Sequence, residues 1–413
     1  MSTQVPGSGE PPTTIYVLSP LFPSQAQPTA GLFVRERAFR LRPTFSLVVI
    51  SPRPWFPLQS LIRRFRPGYR PDVPPIEEQS GVPVYFPRFL ALPGILRRLD
   101  GVSIALSTRR LLARLKRQYG AGIIDAHFAY PGGRAAVLLG RWLSWPVSIT
   151  LRGTESRLLT DASLAPQVVA AVRQADQVIS VSDSLRQRLV QAGVDPEHIE
   201  VVGNGVDLER FAVQPRDEAR RALGIPSDAR VLISVGGLVE RKGFHRVLDM
   251  LPELVVRFPT LLYLIVGGGG PEGDMSATLR EQARELGLEA HVRFMGSLPP
   301  DELATPLSAA DVFVLSTRNE GWANVFLEAM SCGLPVVTTA VGGNAEVVCT
   351  PELGTIVPFG DAAALRDATS AALERNWNRE HIMSHARDNS WDVRIPVLVE
   401  HFRRLRNKSR SVC

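Results

Sequence analysis

Short apolar runs rich in β-branched residues alternate with stretches of helical spacing from Thr13 to Thr339. The first half contains Thr13–Ser19, Leu47–Ser51, Ile123–His127, Pro146–Leu151, Gln177–Ser182 and Ile199–Val202. The second half contains Val231–Gly237, Leu261–Gly267, His291–Gly296, Asp311–Thr317 and Val336–Thr339. A strand that is apolar throughout is buried on both faces, and strands that alternate with helices build parallel sheets. The expected class is α/β, with one parallel sheet in each half. A chain of 413 residues can form two such domains, each with its own core. We expect a disordered segment over 1–12, a first domain over 13–212, a second over 213–385, and a terminal helix and tail over 386–413.

Hydrophobic residues make up 45% and charged residues 21%, which excludes a disordered chain. Cys332, Cys349 and Cys413 lack metal-ligand spacing and read as reduced thiols of a cytoplasmic protein. The opening MSTQVPGSGEPP lacks a basic region followed by an apolar one, so no secretory signal is expected, and no apolar run reaches membrane-spanning length. The net charge of +6 divides into +10 for residues 1–200 and −4 for 201–413. A basic first half suits nucleic acid, an anionic membrane surface or a phosphorylated acceptor, and charge alone does not choose among them. The segment Pro52–Pro93 reads as irregular. Within it, Trp55–Arg66 mixes apolar and basic residues and reads first as a packed proline-rich loop, second as a membrane-interface segment. The five basic residues of the helix expected over Val102–Tyr119 read as a solvated face.

Glu320–Glu346, EGWANVFLEAMSCGLPVVTTAVGGNAE, carries most of the functional signal. It follows one expected strand and contains another. Between them Asn324 reads as an N-cap, Val325–Ser331 as helix, and Gly333 with Pro335 as the stop. A helix that starts at the carboxyl edge of a parallel sheet offers free amides to an anion such as a diphosphate, here from Asn324, Val325 and Phe326. Glu328 lies on the same helix face as Asn324, where an ionised carboxylate needs hydrogen-bond donors, and a pair of sugar hydroxyls would supply them. Glu320, on the preceding loop, can reach a second polar group of the same ligand. Taken alone, the two glutamates also read as a loop acid and a salt bridge.

The run of Glu320, seven residues, Glu328, then A-M-x-x-G-x-P-V-V and Gly342-Gly343-x-x-Glu346 resembles the donor signature of family 4 retaining glycosyltransferases. Gly203-Asn-Gly-Val-Asp207 resembles that family's closing signature for its first domain. Within the family the likeness is greatest to bacterial transferases of the teichuronic acid and exopolysaccharide type. The resemblance implies a GT-B fold, with two Rossmann-like domains facing a cleft and a C-terminal helix crossing back to the first. It also implies a nucleoside diphosphate sugar donor, UDP- or GDP-linked, and a glycan or lipid-linked acceptor.

The same resemblance assigns the ribose to Glu328 and the transferred sugar to Glu320. Gly237, Gly268 and Met295, at or near strand ends of the second half, would line the nucleotide site. Gly31 would let the backbone approach the diphosphate, though its spacing fits a plain turn equally well. Arg241 and Lys242 would place positive charge on the leaving diphosphate. The family carries an arginine five residues before that lysine; Gly237 stands there, and Arg241 is expected to take over. Many members carry a histidine in the loop that begins here at Arg152, where this chain reads Arg152-Gly-Thr-Glu155. His127, at a neighbouring strand end, is the candidate left, although a lone histidine is more often structural. Retention by front-face attack needs no enzymic nucleophile.

No Asp-x-Asp pair and no Gly-x4-Gly-Lys-Ser/Thr loop occurs, so no metal or other cofactor is expected. Gly268–Gly273 matches the glycine spacing of a dinucleotide loop, but Pro271 interrupts it and no acid follows at the next strand end. A phosphorylase or nucleotide-sugar epimerase of the same fold remains an alternative. A nucleic-acid-binding protein is disfavoured, because basic and aromatic residues do not interleave as in a binding module.

Overall fold

The computed structural model describes residues 12–57, 59–65, 69–92, 96–270 and 272–410. Residues 1–11 of the segment expected to be disordered, and Leu58 and Arg66 of the mixed segment, lie outside the described residues. The chain divides into two compact units. One holds the chain up to Val181, Leu185–Val202 and the stretch from Ile395; the other holds Ser182–Ser184 and Gly203–Arg394.

The first unit carries β1 (Thr14–Leu18), β2 (Ser46–Ile50), β3 (Arg53–Trp55), β4 (Ile76–Gln79), β5 (Val82–Tyr85), β6 (Arg88–Leu90), β7 (Gly122–His127), β8 (Val147–Leu151), β9 (Gln177–Ser180) and β10 (Ile199–Val201). Eight of them form one sheet in the order β10-β9-β8-β7-β1-β2-β5-β4, parallel except for the edge strand β4. β1 and β8 are buried at every residue, and the hydroxyls that β8 turns inward, Ser148 and Thr150, are hydrogen-bonded to His401 and Arg37.

The segment read as irregular is built instead of four short strands and the helix Gln59–Phe65. β4 and β5 form an antiparallel hairpin whose two turn residues, Ser80 and Gly81, both have positive φ, as a tight hairpin turn requires. β3 pairs with β6 in a separate ribbon. β3, β4 and β6 are edge or ribbon strands and β5 lies next to the edge, and with prolines at 54 and 83 they lack the unbroken apolar run that marks a central strand.

The second unit carries β11 (Arg230–Val235), β12 (Leu261–Val266), β13 (Val292–Gly296), β14 (Val312–Leu315), β15 (Val336–Thr339) and β16 (Gly354–Val357), all parallel, in the order β13-β12-β11-β14-β15-β16. Strand order reverses between β7 and β1 in the first sheet and between β11 and β14 in the second. Connections on the two sides of such a switch leave in opposite directions and open a crevice at the carboxyl ends of the strands.

The last helix, Trp391–Arg410, begins in the second unit, and its remainder belongs to the first. There Leu398, Phe402 and Leu405 join the core around β1 and β2. His401 is fully buried, with Nε2 2.9 Å from Ser148 Oγ and Nδ1 3.2 Å from Glu200. Both polar atoms of a ring inside an apolar core are thereby satisfied. No described helix is long and apolar enough to cross a membrane.

Candidate functional site

In the second unit the residues singled out from the sequence gather at the β11/β14 switch. The loop after β11 carries Arg241 and Lys242 in one helical turn, and the loop after β14 leads through Thr317 to Glu320. The two loops are tied together where the Arg318 amide donates to the Arg241 carbonyl at 2.8 Å. The Glu320 loop also rests on the pair Gly342-Gly343. Gly342 has φ +52°, and a β-carbon there would run into the Glu320 carbonyl, so no larger residue fits without displacing the loop.

Glu320 is only 9% exposed. Its Oε1 lies 2.6 Å from Lys242 Nζ, 3.3 Å from Arg241 Nη1 and 3.0 Å from Thr317 Oγ1. A buried carboxylate needs such partners to offset its lost hydration. Arg241 also donates from Nε and Nη2 to the two oxygens of Glu272, at 2.9 and 3.2 Å, and from Nη1 to Asn319 O at 2.9 Å. Burial opposes the Arg241 charge, but the Glu272 hydrogen bonds and the Glu320 carboxylate outweigh it and hold the guanidinium above the usual arginine pKa. Arg241 and Lys242 thus converge on one oxygen, with Gly237 lying on the same loop.

The loops after β11, β12 and β13 run side by side. The Leu238 amide donates to Gly268 O at 2.7 Å, and that of Gly267 to Gly296 O at 2.8 Å. Gly237, Gly268 and Met295 are therefore neighbours through their loops and strand ends, Met295 packing half-buried against the core.

The helix after Glu320 spans Asn324–Ser331, and Ala323 occupies the N-cap position with no side-chain cap. Asn324 is therefore not the cap. Its Oδ1 accepts a hydrogen bond from Asn204 Nδ2 at 2.9 Å, and this tertiary partner outcompetes the local capping bond. Asn204, buried in the Gly203–Asp207 run, anchors the helix start, a role the sequence reading missed. A polar residue between two glycines was the available signal. The Phe326 amide is also spent, donating to Ala323 O at 3.0 Å, while its ring packs on Phe313 at 5.7 Å. The amides of Asn324 and Val325 are the remaining two of the expected three. Glu328 is half-buried one turn along.

Glu346 completes the stretch by accepting the Asp183 and Ser184 amides at 2.6 and 2.9 Å. All three residues belong to the second unit.

In the first unit Gly31 precedes the helix Leu32–Phe39 with φ +72°. A β-carbon there would lie 2.5 Å from the Leu21 carbonyl, so close chain approach alone requires glycine. His127 ends β7 with no exposed surface, and Arg152 follows β8. Arg152 Nε and Nη2 lie 3.2 and 3.0 Å from His127 Nδ1. Guanidinium nitrogens only donate, so Nδ1 carries the lone pair and the ring proton sits on Nε2, 3.4 Å from Asp125 Oδ2. Burial lowers the His127 pKa to about 4, against the pull of Asp125 and with the repulsion of Arg152.

Sequence reasoning did not single out the groups around this pair. Buried Arg37 donates to Thr150 Oγ1 at 2.6 Å. Buried Glu155 accepts the amides of Ala129, Arg152 and Gly153 at 2.8, 3.1 and 2.9 Å, which fixes the backbone from which Arg152 extends. The aspartate inside Ile123-Ile-Asp-Ala-His127 was the visible signal, since an acid in an apolar strand needs a cation beside it.

Comparison with known proteins places these two units. Residues 215–389 match the family model described as glycosyl transferases group 1, and residues 69–210 that described as glycosyltransferase family 4. A D-inositol 3-phosphate glycosyltransferase of Corynebacterium urealyticum is 32% identical over 332 residues, covering 73% of this chain and 76% of the relative. The putative teichuronic acid biosynthesis glycosyltransferase TuaC of Bacillus subtilis is 29% identical over 378 residues, 88% and 90% of the two chains. Among solved structures, sucrose-phosphate synthase from Thermosynechococcus elongatus superposes with a TM-score of 0.78 at 21% identity, covering 96% of this chain and all of that one. Anabaena HepE in complex with UDP gives 0.70 at 20% identity, again over 96% and 100%.

Proposed function

Because the chain belongs to the family 4 glycosyltransferases and has the GT-B fold, we propose that its second unit binds a nucleoside diphosphate sugar and that the sugar is transferred with retained configuration. The observation that carries this reading is the convergence of Arg241 and Lys242 on Glu320 at the β11/β14 switch, beside the start of the helix Asn324–Ser331. The UDP held by the HepE neighbour supports a nucleotide donor.

In this reading Arg241 and Lys242 neutralise the departing diphosphate, and the amides of Asn324 and Val325 add their share of a helix dipole. Glu320 takes the transferred sugar and Glu328 the ribose. The bond from the anomeric carbon to the diphosphate breaks, the acceptor oxygen bonds from the same face, and a departing phosphate oxygen takes the acceptor's proton. Two fixed cations can supply the charge that a bridging metal supplies elsewhere, so the reaction is metal-independent. In the first unit Arg152 faces the acceptor, with His127 beside it.

The acceptor is a glycan, lipid-linked, in cell-surface polysaccharide synthesis, reached from the cytoplasmic side of an anionic membrane. Supporting this, large apolar side chains stand exposed on the β3–β6 ribbon and the elements around it. Leu61 and Phe65 of the helix Gln59–Phe65 are 55% and 79% exposed, and Leu99, Val102 and Leu106 form a stripe along the start of the helix Asp100–Tyr119. Ser103 Oγ donates to Leu90 O at 2.8 Å and the Ala91 amide to Trp55 O at 2.9 Å, so helix and ribbon share one surface. Exposed Arg64, Arg97, Arg98, Arg109 and Arg110 flank it. Apolar side chains ringed by arginine suit an anionic lipid surface.

The enzymatic reading is tested by incubating the protein with UDP- and GDP-sugars, with and without lipid-linked glycan acceptors. Release of free nucleoside diphosphate only with acceptor is expected, whereas a phosphorylase or epimerase would not behave so. EDTA should leave the rate unchanged; loss restored by magnesium or manganese would overturn metal independence.

A further inference from the structure

Every guanidinium nitrogen of Arg241 already serves an acceptor. Nε and Nη2 serve Glu272, and Nη1 serves Asn319 O and Glu320. If Arg241 is to offer a diphosphate two parallel donors on one edge of its guanidinium, as the reading above requires, one carboxylate must give way. Glu320 is poorly placed to do so, because it would also leave Lys242 and Thr317 in a site where it has little water to return to. Glu272 differs in its access to water. Its side chain is 53% exposed, and it sits in the Gly268–Gly273 loop that lies against the loop of Gly237. A pair with one partner this exposed contributes little to stability. A phosphate offers the same guanidinium edge more charge and the same two-point geometry.

We propose that Glu272 is an internal stand-in for the donor phosphate, which holds Arg241 aligned in the free enzyme and surrenders it when the nucleoside diphosphate binds. Glu272 thereby sets affinity at both ends of the cycle. It competes with the incoming donor, and it reclaims Arg241 as the product diphosphate leaves. Removing its charge frees two donors of Arg241 for phosphate without touching Glu320 or Lys242.

The test is calorimetric titration of the full chain with UDP and GDP, using the tighter of the two, for wild type, Glu272→Gln, Arg241→Ala and the double variant. Glu272→Gln is expected to tighten binding at least threefold, with no gain for the corresponding nucleoside. In the Arg241→Ala background the same change should have no effect. Binding that is unchanged or weaker in Glu272→Gln overturns the proposal. Equal tightening with and without Arg241 also overturns it, since general charge repulsion would then suffice. Unchanged binding in Arg241→Ala alone would instead sink the assignment of Arg241 to the diphosphate, and no nucleotide binding in wild type would sink the donor site itself. Unfolding midpoints of the four proteins report whether each is folded.

Discussion

Glu320, Lys242 and Arg241 form one charge cluster, so substituting any of them changes the other two. Lys242→Ala removes the donor at 2.6 Å from Glu320 and should lower turnover by about 10²–10³, the usual cost of losing one preorganised charge at a developing anion. Arg241→Ala should fall in the same range if it stands in for the arginine absent at Gly237. Glu320→Ala should lower kcat and Glu328→Ala should raise the donor KM, both with the fold intact, and wild-type kinetics in either would remove its role. The His127–Arg152 pair makes a different prediction. A histidine whose pKa falls from about 6.5 unfolded to about 4 folded contributes stability that is present above pH 6.5 and lost as pH drops through 4. The shift corresponds to about 3 kcal/mol. His127→Asn keeps an acceptor near the Nδ1 position but cannot titrate. Denaturant unfolding from pH 7 to 4 should therefore show a shallower loss for the variant than for wild type, and equal slopes would contradict the neutral tautomer.

At the scale of elements, legibility followed burial. β8 and β15 are central, parallel, buried at every residue and rich in β-branched side chains, so their sequences announce them. β3, β4 and β6 have exposed residues and prolines interrupt β3 and β5, and pattern alone left Pro52–Pro93 irregular. The helix Asn324–Ser331 was legible to within one residue; its cap was not. Asn324 has the side chain a local rule selects, yet Asn204, distant in sequence, takes it. The same limit hid the surroundings of His127. Asp125 shares a strand with His127, but Arg37 and Arg152 come from separate elements that meet it only when the sheet forms, and no sequence spacing encodes that meeting.

At the scale of the whole molecule, charge is divided as unevenly as the functions proposed for its parts. Residues 1–200 carry +10 and residues 201–413 carry −4. The exposed apolar side chains at Leu61, Phe65, Leu99, Val102 and Leu106 all lie in the basic part, with Arg63 and Arg64 on the same short helix as the first two. Near an anionic leaflet each basic side chain contributes about 1 kcal/mol, and the attraction fades beyond a Debye length of about 8 Å at physiological salt. A handful of arginines with a few inserted leucines gives reversible binding that weakens with salt. Sedimentation with vesicles should therefore show binding to anionic but not neutral lipid. Exchanging Arg63 and Arg64 for Ser should reduce it, and Leu99→Ser with Leu106→Ser should reduce it in a salt-insensitive way. Charge variants that lower binding while the leucine variants do not would leave a purely electrostatic contact. No binding to anionic vesicles at low salt would remove the membrane from the reading, and a concentration-dependent rise in mass abolished by the leucine changes would give that apolar surface to a second copy of the chain.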